Sequence, residues 1–162
     1  MDSPEFASAP TSTFDGLDGK TVLVTGGSSG IGQSIAVRFG HEGTNVAINY
    51  LSVRDEAEET AAQIRAAYDR CTRAVRDCGV EVCLHQADVS QEADVKRMFR
   101  EAIGDLGGID FLINNAGIQI SGASHAIETE DFDNVVAVNL RGAYLCAREA
   151  IRHWLEEDKS GC

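Results

Sequence analysis

The run Thr21-Val22-Leu23-Val24-Thr25, continued by Gly26-Gly27-Ser28-Ser29-Gly30-Ile31-Gly32, constrains this chain more than any other feature. A short β-branched apolar run reads as a strand buried on both faces. Ile31, Ile35, Ala36 and Phe39 then repeat at helical spacing until Gly43. A strand that enters a helix through a glycine-rich turn opens a βαβ unit, and that turn has a chemical meaning. Glycine lets the backbone approach a phosphate closely. The unpaired N–H groups and positive dipole end of the following helix favour an anion. The spacing is G-x-x-x-G-x-G, and the lysine of a Walker loop is missing. A glycine turn without a ligand is the alternative at this point.

The alternation continues to the end of the chain. Asn45–Tyr50 reads as the second strand. A long helix starts at Ser52, with Asp55 as an approximate capping box. It buries Ala57, Ala61, Ile64, Tyr68, Cys71, Val75 and Cys78 and stops at Gly79. Val80–His85 is the third strand. Ser90 caps a helix carrying Val95, Met98, Phe99, Ala102 and Ile103, which ends at Gly107-Gly108. Asp110–Asn114 is the fourth strand. Thr129 caps a last long helix whose inner face holds Phe132, Val135, Val136, Leu140, Ala143, Ala147, Ile151 and Trp154. Strands and helices in strict alternation give an α/β fold: a Rossmann-like parallel sheet with helices on both faces, strand order 3-2-1-4. As expected from the sequence, this sheet ends, truncated, after the fourth strand and the helix that follows it. Residues 1–18, rich in Ser, Thr, Ala and Pro, read as a disordered tail ahead of one domain at 19–162.

Charge and cysteine usage narrow the function. With 14 Lys+Arg against 26 Asp+Glu the net charge is −12. No basic run offers a surface to nucleic acid or to an anionic membrane. No apolar stretch is long enough to span a bilayer. The cysteines at 71, 78, 83, 146 and 162 are odd in number and follow no secretion signal, so a reducing cytoplasmic setting is expected. Their spacing along the chain matches no usual zinc pattern, and neither does that of His41, His85, His125 and His153; no metal is expected.

Three further motifs lie where ligands sit in open parallel sheets, beyond the carboxyl ends of strands. Ala87-Asp88-Val89-Ser90 follows the third strand, and Asp88 can accept a hydrogen bond from an adenine amino group; an ordinary turn aspartate is its alternative. Asn114-Asn115-Ala116-Gly117 follows the fourth strand, where small residues leave room for a ring and Asn side chains can tie strand ends together. Asn139, in Val138-Asn139-Leu140, is a poor mid-helix residue and is expected to face a cleft.

Taken together, TGGSSGIG, ADVS, NNAG and VNLRGA resemble the short-chain dehydrogenase/reductase family, in the family's order and at nearly its spacing, from Lys20 to Cys162. Within that family, NYLS, SHAIE and GAYLCAREAI look like glucose 1-dehydrogenases. The resemblance implies a nicotinamide dinucleotide held by Gly26, Ser28, Ser29, Gly30, Ile31 and Gly32. It puts Asp88 and Val89 at the adenine, and Asn115, Ala116 and Gly117 beside the ribose and nicotinamide. It makes Asn139 the asparagine of an Asn-Ser-Tyr-Lys set. It also implies a small-molecule substrate and a homo-oligomer, tetramer or dimer, of the full-length protein.

The second strand's end bears on cofactor choice. A carboxylate there would hold the ribose 2′-OH of NAD. Asn49-Tyr50-Leu51-Ser52 has none, which leans toward NADP over NAD, with Ser52 and Arg54 near a 2′-phosphate. The family's catalytic Ser and Tyr-x-x-x-Lys do not occur in these residues. None of Tyr50, Tyr68 and Tyr144 has Lys four positions on, and Arg148 after Tyr144 stays charged. The 162-residue chain by itself is therefore expected to be inactive. A non-catalytic dinucleotide-binding module is the rival reading. A methyltransferase with a similar sheet is weaker, because its cofactor has no pyrophosphate for the glycine turn.

Overall fold

The computed structural model describes residues 16–71, 79–158 and 161–162, with residues 68–71 by backbone alone. Four parallel strands, β1 (Thr21–Val24), β2 (Asn45–Tyr50), β3 (Val82–Gln86) and β4 (Phe111–Ile113), form one sheet in the order β3-β2-β1-β4. Val22 pairs with Val46 on one side and Phe111 on the other, and Val46 pairs with Val82. This is the order that right-handed crossovers produce from such a sequence. The helices are α1 (Gly30–His41), α2 (Arg54–Cys71), α3 (Glu92–Leu106), α4 (Thr129–Val136) and α5 (Ala143–Glu156), with a π-helical turn at Ala137–Gly142 joining the last two.

The strands are mostly apolar because each face has its own core. Val22, Val24, Val46 and Ile48 point to one side and pack with Ala57, Ala61 and Ile64 of α2 and Ala36 of α1. Leu23 and Ala47 point to the other, against Val95, Met98 and Phe99 of α3 and Leu145 and Cys146 of α5. Alternate side chains of one strand thus serve opposite layers. The expected α2 positions Tyr68 and Cys71 (side chains), Val75 and Cys78 lie outside the described residues.

Several boundaries differ from the sequence expectation. α3 begins at Glu92 behind Gln91. Ser90 is not its cap; the Ser90 N–H donates to Asp88 Oδ1 at 2.9 Å, closing a tight turn. Thr129 is the first residue of α4, behind Glu128, and supplies no side-chain cap. At the front, Leu17, assigned to the tail, is already packed: its carbonyl accepts hydrogen bonds from Thr44 Oγ1 at 3.0 Å and the Lys20 N–H at 3.1 Å.

The larger correction concerns the last helix. Of the expected inner face, Phe132, Leu140 and Ile151 are exposed. The face that meets the sheet carries Leu145, Cys146, Ala150 and His153. His153 is buried because its Nε2 accepts the Ile109 N–H at 3.1 Å, while Trp154 Nε1 donates to the Ile109 carbonyl at 2.7 Å. The π-helical turn holds one more residue than an α-turn, which rotates everything after it by roughly 100°. The helix also has two apolar sides, and the bulkier one faces outward.

β4 makes further backbone hydrogen bonds at Cys162. The Cys162 N–H donates to the Asp110 carbonyl at 3.1 Å, and its carbonyl accepts the Leu112 N–H at 2.8 Å.

Candidate functional site

The carboxyl ends of all four strands border one cleft of about 350 Å³. The β1–α1 loop forms one wall with Gly26, Ser28, Ser29, Ile31 and Gly32. Asn49, Tyr50 and Leu51 from β2 form another. Asp88 and Val89 border it from β3, and Asn115, Ala116 and Gly117 from β4. Gly30 lies just outside, lining a neighbouring groove with Ser34 and Arg38. The structure therefore gathers the sequence motifs, which are scattered over ninety residues, around one concavity.

The loop is held open by backbone geometry. Gly26 has φ +60°, in the left-handed region that side chains disfavour. A Cβ on Gly32 would fall 2.2 Å from the Gly26 carbonyl oxygen and 2.5 Å from Asn115 Nδ2. No side chain fits there, so the first turn of α1 sits tight against the strand ends. α1 carries no acidic residue in its first turn, and Ser29 ahead of it makes no side-chain cap. Its leading N–H groups, which have no partner within a helix, are left for an anionic ligand. A dinucleotide pyrophosphate fits this cradle.

The frame behind the loop is built from buried and half-buried polar side chains. Thr25 Oγ1 donates to the Ile113 carbonyl at 3.2 Å and accepts the Asn115 and Ala116 N–H groups, each at 3.0 Å. Asn115 Nδ2 donates to the Thr25 and Gly26 carbonyls at 2.9 and 3.1 Å. These bonds sew the end of β4 to the glycine loop. On the other side, Asn49 is only 2 % exposed. Its Oδ1 accepts the Gly26 N–H at 3.2 Å, and its Nδ2 donates to the Ala87 and His85 carbonyls at 3.0 and 3.3 Å. The Asn49 side chain is thus committed to joining three strand ends. The exposed side chain at the tip of β2 is that of Leu51, 61 % exposed.

Asp88 is itself fixed. Its N–H donates to Asp94 Oδ2 at 3.1 Å, and Arg97 Nη2 donates to Asp94 Oδ1 at 3.1 Å. The Asp88 N–H, with Arg97 second, holds the Asp94 carboxyl below its ordinary range. Asn139 lies in the π-helical turn, and its carboxamide pairs with one backbone residue: Oδ1 accepts the Ile118 N–H and Nδ2 donates to the Ile118 carbonyl, both at 2.9 Å. Asn139 so anchors the loop after Gly117 without lining the cleft itself. Ile118 and Val138 do line it.

Sequence reasoning missed Thr25, Leu51, Asp94, Ile118 and Val138. A threonine closing a buried strand was the available signal for Thr25; the others reveal themselves only through the fold. Arg54, expected near the second strand's end, is paired with Glu58 at 2.7 Å. That carboxylate raises the guanidinium's already high pKa. His125 is exposed and does not line the cleft.

Residues 20–162 match the family model described as short chain dehydrogenase. The chain belongs to that family. Its relatives include the glucose 1-dehydrogenase of Gluconobacter oxydans, 41% identical over 152 residues, covering 94% of this chain and 53% of the relative. The 3beta-hydroxysteroid dehydrogenase 1 of Eggerthella lenta is 39% identical over 148 residues, covering 91% of this chain and 52% of the relative. Among solved structures, a short-chain type dehydrogenase/reductase from Mycobacterium marinum superposes with TM-score 0.79 at 30% identity, over 90% of this chain and 54% of the other. A short chain dehydrogenase from Burkholderia cenocepacia, solved in complex with NADP, superposes with TM-score 0.75 at 34% identity, over 85% of this chain and 51% of the other. The chain spans about half the length of the curated relatives it matches. As a short-chain dehydrogenase family member it carries the oxidoreductase fold, with NAD(P) as the family's cofactor.

Proposed function

We propose that this chain is the dinucleotide-binding part of an oxidoreductase that moves hydride between a nicotinamide and an alcohol or carbonyl carbon, with a sugar such as glucose as substrate. The observation that carries the reading is the cleft itself: a glycine cradle that excludes any Cβ at Gly32, opening onto the ends of all four strands. The glucose 1-dehydrogenase among the relatives supports the sugar. In this assignment Gly26, Ser28, Ser29, Gly30, Ile31 and Gly32 hold the pyrophosphate. Asn49 and Tyr50 shape the adenosine end, Asp88 and Val89 meet the adenine, and Asn115, Ala116 and Gly117 flank the nicotinamide ribose. The bound nicotinamide supplies the hydride chemistry. Asn139 acts as a positioning residue in the proton relay, by fixing the backbone at Ile118.

NADP is the favoured cofactor. Leu51 stands where a carboxylate would select the 2′-OH of NAD, and no acidic side chain is among the residues of β2 that line the cleft.

Among the described residues, the one tyrosine lining the cleft, Tyr50, has Arg54 and not a lysine four positions on. Tyr144 is exposed and outside the cleft, and Arg148 is fixed by Glu92 at 2.8 Å. A general acid–base group contributes roughly 10²–10⁴-fold to such a reaction. Binding without turnover by these residues alone is therefore the expected behaviour. The outward stripe Leu140, Tyr144, Ile151 and Leu155 supports self-assembly through the last helix, as dimer or tetramer. The unpaired thiols Cys83, Cys146 and Cys162 suit a reducing cytoplasm.

Fluorescence titration of the purified chain with NADPH and NADH, beside a turnover assay with glucose, tests this. Binding tighter for NADPH, with no turnover, is expected. Failure to bind either dinucleotide overturns the assignment, and turnover by residues 1–162 overturns the inactivity.

A further inference from the structure

Between β3 and α3, two short patterns face each other. Cys83 and His85, two apart on β3, project to one face of the strand. Glu101 and Asp105, four apart on α3, share one side of the helix. β3 and α3 are packed together, and His85 is buried between them. His85 Nε2 lies 3.1 Å from Cys83 Sγ and 3.6 Å from Asp105 Oδ2. The three donor atoms all fall within 4.8 Å of one another. A tetrahedral zinc centre, with bonds of ~2.0–2.3 Å, spaces its ligand atoms roughly 3.5 Å apart.

The other ring nitrogen completes the pattern. His85 Nδ1 faces Glu101 Oε2 at 3.6 Å, and Arg97 Nη1 holds that same carboxylate oxygen at 3.5 Å. Each ring nitrogen thus faces a carboxylate at 3.6 Å, Glu101 at Nδ1 and Asp105 at Nε2; a cation bound at Nε2 between Cys83 and Asp105 would leave the ring proton on Nδ1, facing Glu101. Metal-bound histidines are oriented in this way.

We propose that Cys83 Sγ, His85 Nε2 and the Asp105 carboxylate bind one zinc-like divalent cation, with Glu101 orienting the imidazole and water in the fourth position. Thiolate and imidazole select zinc or cobalt over magnesium or calcium. As the metal–sulfur bond forms, the Cys83 thiol proton leaves to solvent. Without metal, burial and then Asp105 push that thiol up to about 12, so it is not a reactive thiolate. The bound cation would clamp the edge strand β3 to α3, two residues before the chain enters the cleft at Ala87. The ligands come from a strand and a helix, which is why cysteine spacing along the chain gave no sign of the site.

The test is titration of chelator-treated protein with Co²⁺ and Zn²⁺. One Co²⁺ per chain is expected, with a near-ultraviolet thiolate-to-cobalt charge-transfer band. Cys83→Ser should abolish the band. Asp105→Asn is an exposed change that leaves the core intact, and it should weaken binding roughly 10–100-fold, with Glu101→Gln weakening it about tenfold. Circular dichroism confirms that each variant is folded. If Cys83→Ser does not fold, the Asp105→Asn affinity decides. A band that survives Cys83→Ser places the metal on another thiol and overturns the proposal. So does unchanged affinity in Asp105→Asn, or the lack of any band at stoichiometric Co²⁺.

Discussion

Replacing Asn49 by aspartate separates a reading along the chain from one in space. Along the chain, Asn49→Asp supplies the carboxylate that prefers NAD. In the fold, the carboxamide is buried and donates to the Ala87 and His85 carbonyls while accepting the Gly26 N–H. A protonated Asp can keep the Gly26 contact and donate once, so in acid it forfeits about one hydrogen bond, ~1 kcal/mol. An ionised Asp would set its charge against two carbonyl oxygens in a water-poor site. Burial of that kind raises a carboxyl pKa by up to ~3–5 units. With a shift of about 3 units at 1.36 kcal/mol each, ionisation adds ~4 kcal/mol. The folded pKa is raised above the unfolded ~3.9, so the penalty is missing below about pH 4 and grows as pH rises. The variant should therefore be ~5 kcal/mol less stable than the parent at pH 7, and only ~1–1.5 kcal/mol less stable near pH 4. Urea unfolding at both pH values measures this. Equal stability at pH 7, together with a switch to NAD, would refute the reasoning and return Asn49 to the ribose.

Three other changes have defined outcomes. Gly32→Ala drives a Cβ into the Gly26 carbonyl and Asn115; by calorimetry it should lose dinucleotide affinity by at least ~100-fold, at a stability cost of ~1–3 kcal/mol. Leu51→Asp places the carboxylate where the cleft exposes it, and should move the NADP/NAD ratio of Kd values toward NAD by about tenfold or more, ~1.4 kcal/mol. Glu92→Gln tests the tie between α3 and α5. Hydrogen bonds from Lys96 and then Arg148 hold the Glu92 carboxyl at about 2, below its ordinary 4.5. A depressed acid stabilises above its unfolded pKa and loses that contribution as pH falls, so the parent's melting temperature should drop between pH 4.5 and about 2 more steeply than the variant's. Because the Glu92 side chain is partly open to solvent, 41% accessible, added salt should shrink the difference.

Much was legible because it is local. Strand composition, the glycine turn and helical spacing are set by neighbours in sequence, and right-handed crossovers leave few sheet orders. Those alone yield β3-β2-β1-β4 and the placement of Asp88, Asn115 and the glycine loop at strand ends. What the tertiary structure decided is which side chains are used up in holding the frame. Asn49 reads as a ligand position on a strand and proves to be an internal brace, because its partners come from β1 and β3. The last helix was misread by phase, because a π-turn is invisible to a fixed 3.6 period and its bulkiest apolar residues face outward. The grouping of Cys83 and His85 with Asp105 depends on a strand and a helix meeting side by side. Periodicity finds which residues share a face; only packing determines what that face meets.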